Sequence, residues 1–261
     1  MSAFAEIDEI TRAAQLGCTD THFINANGLH DENHYTTAHD MARIMQALVD
    51  NETFTAISSA DNYQIPPTNK TAETRYLKQT HKMMCESDYT YEGTVSGKTG
   101  FTPEAGNTLV TYAKRGDLEL IAVSLKSNWK HYDDTIAMFN YGFEHFSASD
   151  MSRSAAALEA VKEAVLAQAA LDPETGTLSL NSDNWAVLPD GITADSLNAA
   201  VTLFPASQQA SMDSTTIGTV TYLYNNVSLG TGTISFRRLR TRVPRPMKPH
   251  RKRSPARTLP L

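Results

Sequence analysis

Apolar residues first recur at helical spacing. Over residues 5–16, Ile7, Ile10 and Ala14 share one face, and Gly17 follows as a helix stop. A polar loop, TDTHFINANGLHDENHY, separates this segment from a second periodic one. There Met41, Ile44, Met45 and Leu48 fall at i, i+3, i+4 and i+7, behind Thr37, whose hydroxyl can cap while Asp40 stands three residues on. Residues 51–90 hold no sustained period, and Pro66-Pro67 breaks any long element. The spacing then shortens. NTLVTYAK (107–114) and LELIAVSLK (118–126) are β-rich runs flanking Arg115-Gly116-Asp117, a hairpin signal.

Helical spacing returns over 131–146, where Tyr132, Ile136, Phe139, Phe143 and Phe146 form a stripe able to pack a helix onto a sheet. An Ala-rich stretch at 154–170 reads as helix or linker. Beyond 175 the elements are short. Leu178/Leu180, Val187, Val201/Leu203 and 217–236 read as strands, with Asn225-Asn226 dividing IGTVTYLY from VSLGTGTISF as a hairpin turn does. The expected organisation is therefore 1–150, a helical linker at 151–174, an all-β module at 175–236, and a basic, Pro-rich, disordered tail at 237–261.

Composition narrows the classes. A chain of 261 residues with 41% hydrophobic and 20% charged residues is neither disordered nor fibrous in bulk, and it can bury a core. No run of 18 apolar residues is present, and MSAFAEIDEITRAAQLG lacks the basic flank and apolar block of an export signal. Two cysteines, Cys18 and Cys85, make no disulfide framework or C-x-x-C pair, and both read as bystanders. The net charge of −6 conceals a split: residues 237–261 hold ten Lys/Arg and no acid, leaving 13 basic against 29 acidic residues, a net of −16, in 1–236. A body of that sign has no default affinity for nucleic acid. The tail itself admits docking on anionic lipid, non-specific nucleic-acid binding, or no selected role.

Candidate chemistry sits in Gly97-Lys98-Thr99-Gly100-Phe101-Thr102-Pro103-Glu104-Ala105-Gly106. A phosphate loop needs glycine where Glu92 stands, and a following helix where Pro103 and a strand pattern stand instead. The other mechanism is the K-T-G strand of penicillin-recognising serine acyltransferases. Along an ideal strand Lys98 and Thr99 point to opposite sides, so the ammonium must reach round towards a nucleophile. His30-Asp31-Glu32-Asn33-His34 invites a metal reading, but zincins need His-Glu-x-x-His on a helix; the plainer reading is a polar loop in which His34 makes a structural hydrogen bond, with no metal.

LGCTDTHFINANGL, HYTTAHDMARIMQALV, GKTGFTPEAGNTLVTYAKR, LELIAVSLKS and FNYGFEHF, in that order and spacing, resemble the low-molecular-weight penicillin-binding proteins, the serine-type D-alanyl-D-alanine carboxypeptidases. Residues 175–236 resemble the β-rich domain that follows catalysis in many members. The resemblance implies an α/β (α+β) transpeptidase/β-lactamase-like partial domain with an antiparallel sheet. Its implied activity is removal of the terminal D-alanine of peptidoglycan stem peptides through an acyl-enzyme, with β-lactams as ligands, no cofactor, and an extracytoplasmic location. Lys98 is implied as catalytic, Thr99 and Gly100 as substrate-binding, and the Phe101 N–H as an oxyanion donor.

The family places S-x-x-K and then S-x-N upstream of K-T-G, and neither occurs upstream here. Ser127-Asn128-Trp129-Lys130 and Ser182-Asp183-Asn184 match those patterns only downstream and are read as decoys. The expectation is an N-terminally incomplete carboxypeptidase, inactive alone, with a relic or wall-peptide-binding module as the alternative. Loss of a helical partner layer predicts exposed apolar surface and poor solubility. NKTAETRYLKQTHKMM (69–84) stands where the family has an Asn-rich stretch, and no binding role is carried onto it.

Overall fold

The computed structural model describes residues 12–167, 175–205 and 216–238. Helix α1 is described over 12–15, the end of the helix expected at 5–16, and Gly17 follows at φ 77°. The expected tail lies outside the described residues apart from Arg237 and Arg238. Those two still belong to a strand, opposite Thr177 and Gly176.

Helix α2 (Ala38–Val49) begins as its sequence predicts, with the Thr37 hydroxyl accepting from the Asp40 N–H at 3.1 Å. Asp40 does not close the box. Its carboxylate turns back to the preceding loop, accepting from Thr21 Oγ1 at 2.7 Å and the Asp20 N–H at 2.9 Å, and it is buried there. The Thr21 hydroxyl bond, foremost, holds the Asp40 carboxyl below its ordinary pKa. Residues 51–90 contain more structure than their pattern shows: α3 (Glu52–Ser58), capped by Asn51, and a hairpin of β1 (Asn62–Ile65) and β2 (Arg75–Lys78). Pro66-Pro67 lies in the loop that joins the two strands.

Strands β3 (Thr94–Thr102), β4 (Gly106–Arg115) and β5 (Leu118–Ser127) form an antiparallel sheet in that order. Alternation along β4 sends Leu109 and Ala113 to one face and Val110 and Tyr112 to the other. The first pair packs with Met83 and Ala122 against Tyr132 and Phe139 of α4 (His131–His145). The second packs against Met45, Met41 and Val49 of α2 and Phe54 of α3. Both faces of the sheet are therefore covered. On the face expected to be bare, Met45 of α2 is buried, at about 1.5–3 kcal/mol for a fully buried large apolar side chain, while Ile121 and Val123 of the sheet are only partly covered.

Helix α4 passes directly into β6 (Phe146–Asp150), so Phe146, expected in the helical stripe, is a strand residue. Beyond it come α5 (Ala155–Ala167), β7 (Gly176–Leu180), β8 (Trp185–Pro189), a 3-10 turn (Ala194–Ser196), β9 (Asn198–Leu203), β10 (Thr216–Tyr224) and β11 (Val227–Arg238). The sheet runs β6-β8-β11-β10-β9, with β7 also on β11, and Asn225 and Asn226 turn the last hairpin at φ 49° and 64°. The Ala-rich helix is part of this core: Ala157, Val161 and Val165 are buried with Leu188, Val220, Tyr222 and Ile234. The whole is a mixed α/β fold with antiparallel sheets.

Candidate functional site

Lys98, Thr99 and Gly100 lie on β3, which has β4 on one side and no strand on the other among the described residues. The register separates the two side chains as the strand period requires. Lys98 stands opposite Val110, on the α2 side, and Thr99 opposite Leu109, on the α4 side. Lys98 Nζ donates to the Thr99 carbonyl, reaching round the strand edge. That carbonyl therefore faces away from β4. In an antiparallel pair the N–H and C=O of one residue point the same way and the direction recurs every second residue. The amides of Gly97, Thr99 and Phe101 accordingly face the open side.

Among the described residues no carboxylate pairs with Lys98, and the Thr99 hydroxyl makes no hydrogen bond to protein. Lys98 and Phe101 are exposed and Thr99 is half-buried. The edge thus offers an ammonium with no carboxylate partner, held on the Thr99 carbonyl, together with a free hydroxyl donor and outward N–H groups on neighbouring strand residues. That set matches a carboxylate and an adjacent carbonyl oxygen. Gly100 has a reason inside the sheet as well: a Cβ there would lie 2.5 Å from Thr108 Oγ1.

Behind the strand stands His81, a residue its sequence context does not single out. It is 1% exposed, its Nε2 lies 2.9 Å from Thr111 Oγ1, and a Cβ on Gly97 would come within 2.6 Å of the same nitrogen. The imidazole occupies the space that Gly97 leaves, one residue before Lys98. Its loop is tied to α4, where Tyr132 Oη accepts from the Lys82 N–H at 3.2 Å. Burial, with smaller contributions from His131 and Lys98, lowers the His81 pKa to about 4, so the ring is neutral.

The two downstream lookalikes are structural. Ser127 Oγ accepts from the Lys130 N–H at 3.2 Å and donates to Asp134 at 3.4 Å, fixing the turn into α4. Asn184 is fully buried, donating to the carbonyls of Asn181 and Thr233 and accepting from Tyr222 Oη at 2.7 Å. His34 Nδ1 accepts from the Ile24 N–H at 3.0 Å within its loop. Burial raises the Cys18 thiol, and Cys85 Sγ donates to the His81 carbonyl.

Residues 9–128, which include α2 and the whole of β3 to β5, match the model of the D-alanyl-D-alanine carboxypeptidase family. Across 138 residues the chain is 30% identical to a D-alanyl-D-alanine carboxypeptidase of Streptomyces sp. (strain K15), covering 51% of this chain and 46% of the relative. Across 112 residues it is 33% identical to D-alanyl-D-alanine carboxypeptidase DacF of Bacillus subtilis (strain 168), covering 43% and 27%. The chain thus spans about half, or less, of the length of these relatives. The fold of penicillin binding protein 5 from Haemophilus influenzae follows 88% of this chain and 64% of its own, with a TM-score of 0.59 at 19% identity. That likeness extends through the second sheet.

Proposed function

We propose that this chain carries the carboxylate-gripping wall of a serine-type D-alanyl-D-alanine carboxypeptidase, an extracytoplasmic enzyme that trims peptidoglycan stem peptides and is acylated by β-lactams. In this reading a peptide ending in D-Ala-D-Ala lies antiparallel along β3. The Thr99 hydroxyl donates to its terminal carboxylate, and the Lys98 ammonium supplies positive potential to that group and to the acyl-transfer centre. Gly100 keeps the strand flat against the ligand, and the Phe101 N–H donates to the scissile carbonyl oxygen as it becomes an oxyanion. Among the described residues no hydroxyl on the open edge has an adjacent base, so the attacking serine is assigned to none of them. The observation that carries the reading is the open edge: a free hydroxyl and an ammonium without a carboxylate partner beside outward amides.

The test is binding of N-acetyl-D-Ala-D-Ala to the chain by calorimetry, beside N-acetyl-L-Ala-L-Ala and the Thr99→Val variant. A hydrogen bond to a charged group is worth about 1.5–3 kcal/mol, so Thr99→Val should weaken the D,D-ligand roughly ten- to a hundredfold. Equal affinity for both enantiomers would remove the reading. Incubation with a fluorescent penicillin should leave the chain unlabelled, and a stoichiometric adduct would place the nucleophile among these residues.

A further inference from the structure

Phe101 and Trp129 are 60% and 75% exposed, yet their rings lie together, 6.1 Å between centroids and 32° between planes. Trp129 sits in the turn between β5 and α4 at φ 64°, in the left-handed region, and Lys126, near the end of β5, stands at φ 52°. A bulky non-glycine residue there is strained. Burial returns little for that strain, because three-quarters of the side chain faces solvent. The turn is nevertheless fixed, by the Ser127 bonds to Lys130 and Asp134. Strain held in place without a folding benefit points to function.

The position supplies one. Phe101 shares the α4 side of the sheet with Thr99, two residues along β3, through Phe101 opposite Asn107 and Asn107 opposite Ser127. A ligand antiparallel to β3, with its carboxylate at Thr99, runs its acyl portion over Phe101 towards Pro103. Strand geometry puts that portion about 7 Å from the carboxylate grip. Lys126 and Lys130 flank Trp129 in sequence and disfavour a cationic group on its ring.

We infer that Phe101 and Trp129 form an apolar subsite that selects ligands whose acyl group, on the N-terminal side of the scissile bond, carries a planar or aliphatic face. The inference rests on the carboxypeptidase reading and names the ligand class for that same edge.

The experiment titrates the chain with three probes: N-acetyl-D-Ala-D-Ala, N-phenylacetyl-D-Ala-D-Ala and N-(6-aminohexanoyl)-D-Ala-D-Ala. Calorimetry gives the affinities. Emission of a Trp185→Phe variant, in which Trp129 is the remaining tryptophan, reports contact with the ring. The phenylacetyl ligand should bind about three- to tenfold more tightly than the acetyl one, the range of an added aromatic contact, and should change Trp129 emission. Trp129→Gly, which suits a positive φ, should bring that ratio to about one while circular dichroism stays that of the parent chain. A ratio of one in the parent chain, or a ratio that survives Trp129→Gly, overturns the subsite and leaves the carboxylate grip standing. Tightest binding of the aminohexanoyl ligand overturns the apolar assignment in favour of a cation on the ring. No binding of any probe overturns the grip and the subsite together.

Discussion

Because His81 is buried and neutral against Gly97, acid should loosen the strand that carries Lys98 and Thr99. The ring has an ordinary pKa near 6.5 in the unfolded chain and about 4 in the fold. Between those values the unfolded chain takes up a proton that the folded chain refuses. Stability is therefore full above about pH 6.5 and falls as pH drops towards 4. From pH 7.5 to pH 5 the linkage amounts to about 2 kcal/mol from this residue alone, at 1.36 kcal/mol per pKa unit. His131, also lowered, chiefly by burial, adds in the same direction. The assay is urea unfolding followed by circular dichroism at half-unit steps from pH 7.5 to 5, for the chain and for His81→Gln. The variant loses the titrating group and has its own lower baseline, so the comparison is of slopes. The parent should lose about 2 kcal/mol more than the variant over the range. Parallel curves would refute the argument that a protonatable ring is trapped there.

Two further outcomes follow from packing. Gly97→Ala puts a methyl group 2.6 Å from both His81 Nε2 and the Val110 carbonyl oxygen, and should lower stability by about 1–3 kcal/mol in urea melts. Affinity for N-acetyl-D-Ala-D-Ala should fall with it, since the displaced residue adjoins Lys98. Asn184→Ala strands the buried Tyr222 hydroxyl in the second core and removes one of two donors from each of the Thr233 and Asn181 carbonyls, which keep the N–H groups of Asn181 and of residue 184, and it should cost about 1–3 kcal/mol by the same measurement.

Elements with one strong period were legible from the sequence. The stripe of α2, its Thr37 cap, the β4 and β5 hairpin, the α4 stripe and the Asn225-Asn226 turn all follow from local rules. The Lys-Thr-Gly segment was legible as a strand because a phosphate loop could be excluded residue by residue. What escaped depended on distant partners. Strands β1 and β2 are four residues each and exposed along nearly their whole length, so no alternation marks them. Asp40 follows Thr37 at box spacing, but its carboxylate is drawn to Thr21 and Asp20, a contact nineteen residues back that no local rule contains. The Ala-rich α5 gives a weak stripe because alanines lie on both sides of it, and only the sheet decides which are buried. His81 has no sequence signature, since its role exists only once Gly97 has left room for the ring.

The open edge of β3 carries a hazard along with its chemistry. Along its nine residues, the alternate backbone groups that face away from β4 can template a strand from any neighbour, including a second copy of the same molecule. The irregular register between Thr94 and Ser96 twists one end out of line, and the protruding charge of Lys98 repels an identical edge brought alongside it. The lysine that invites an anionic peptide terminus thus also acts as a gatekeeper against fibril-like stacking, so selection for solubility and selection for recognition would bear on the same side chain.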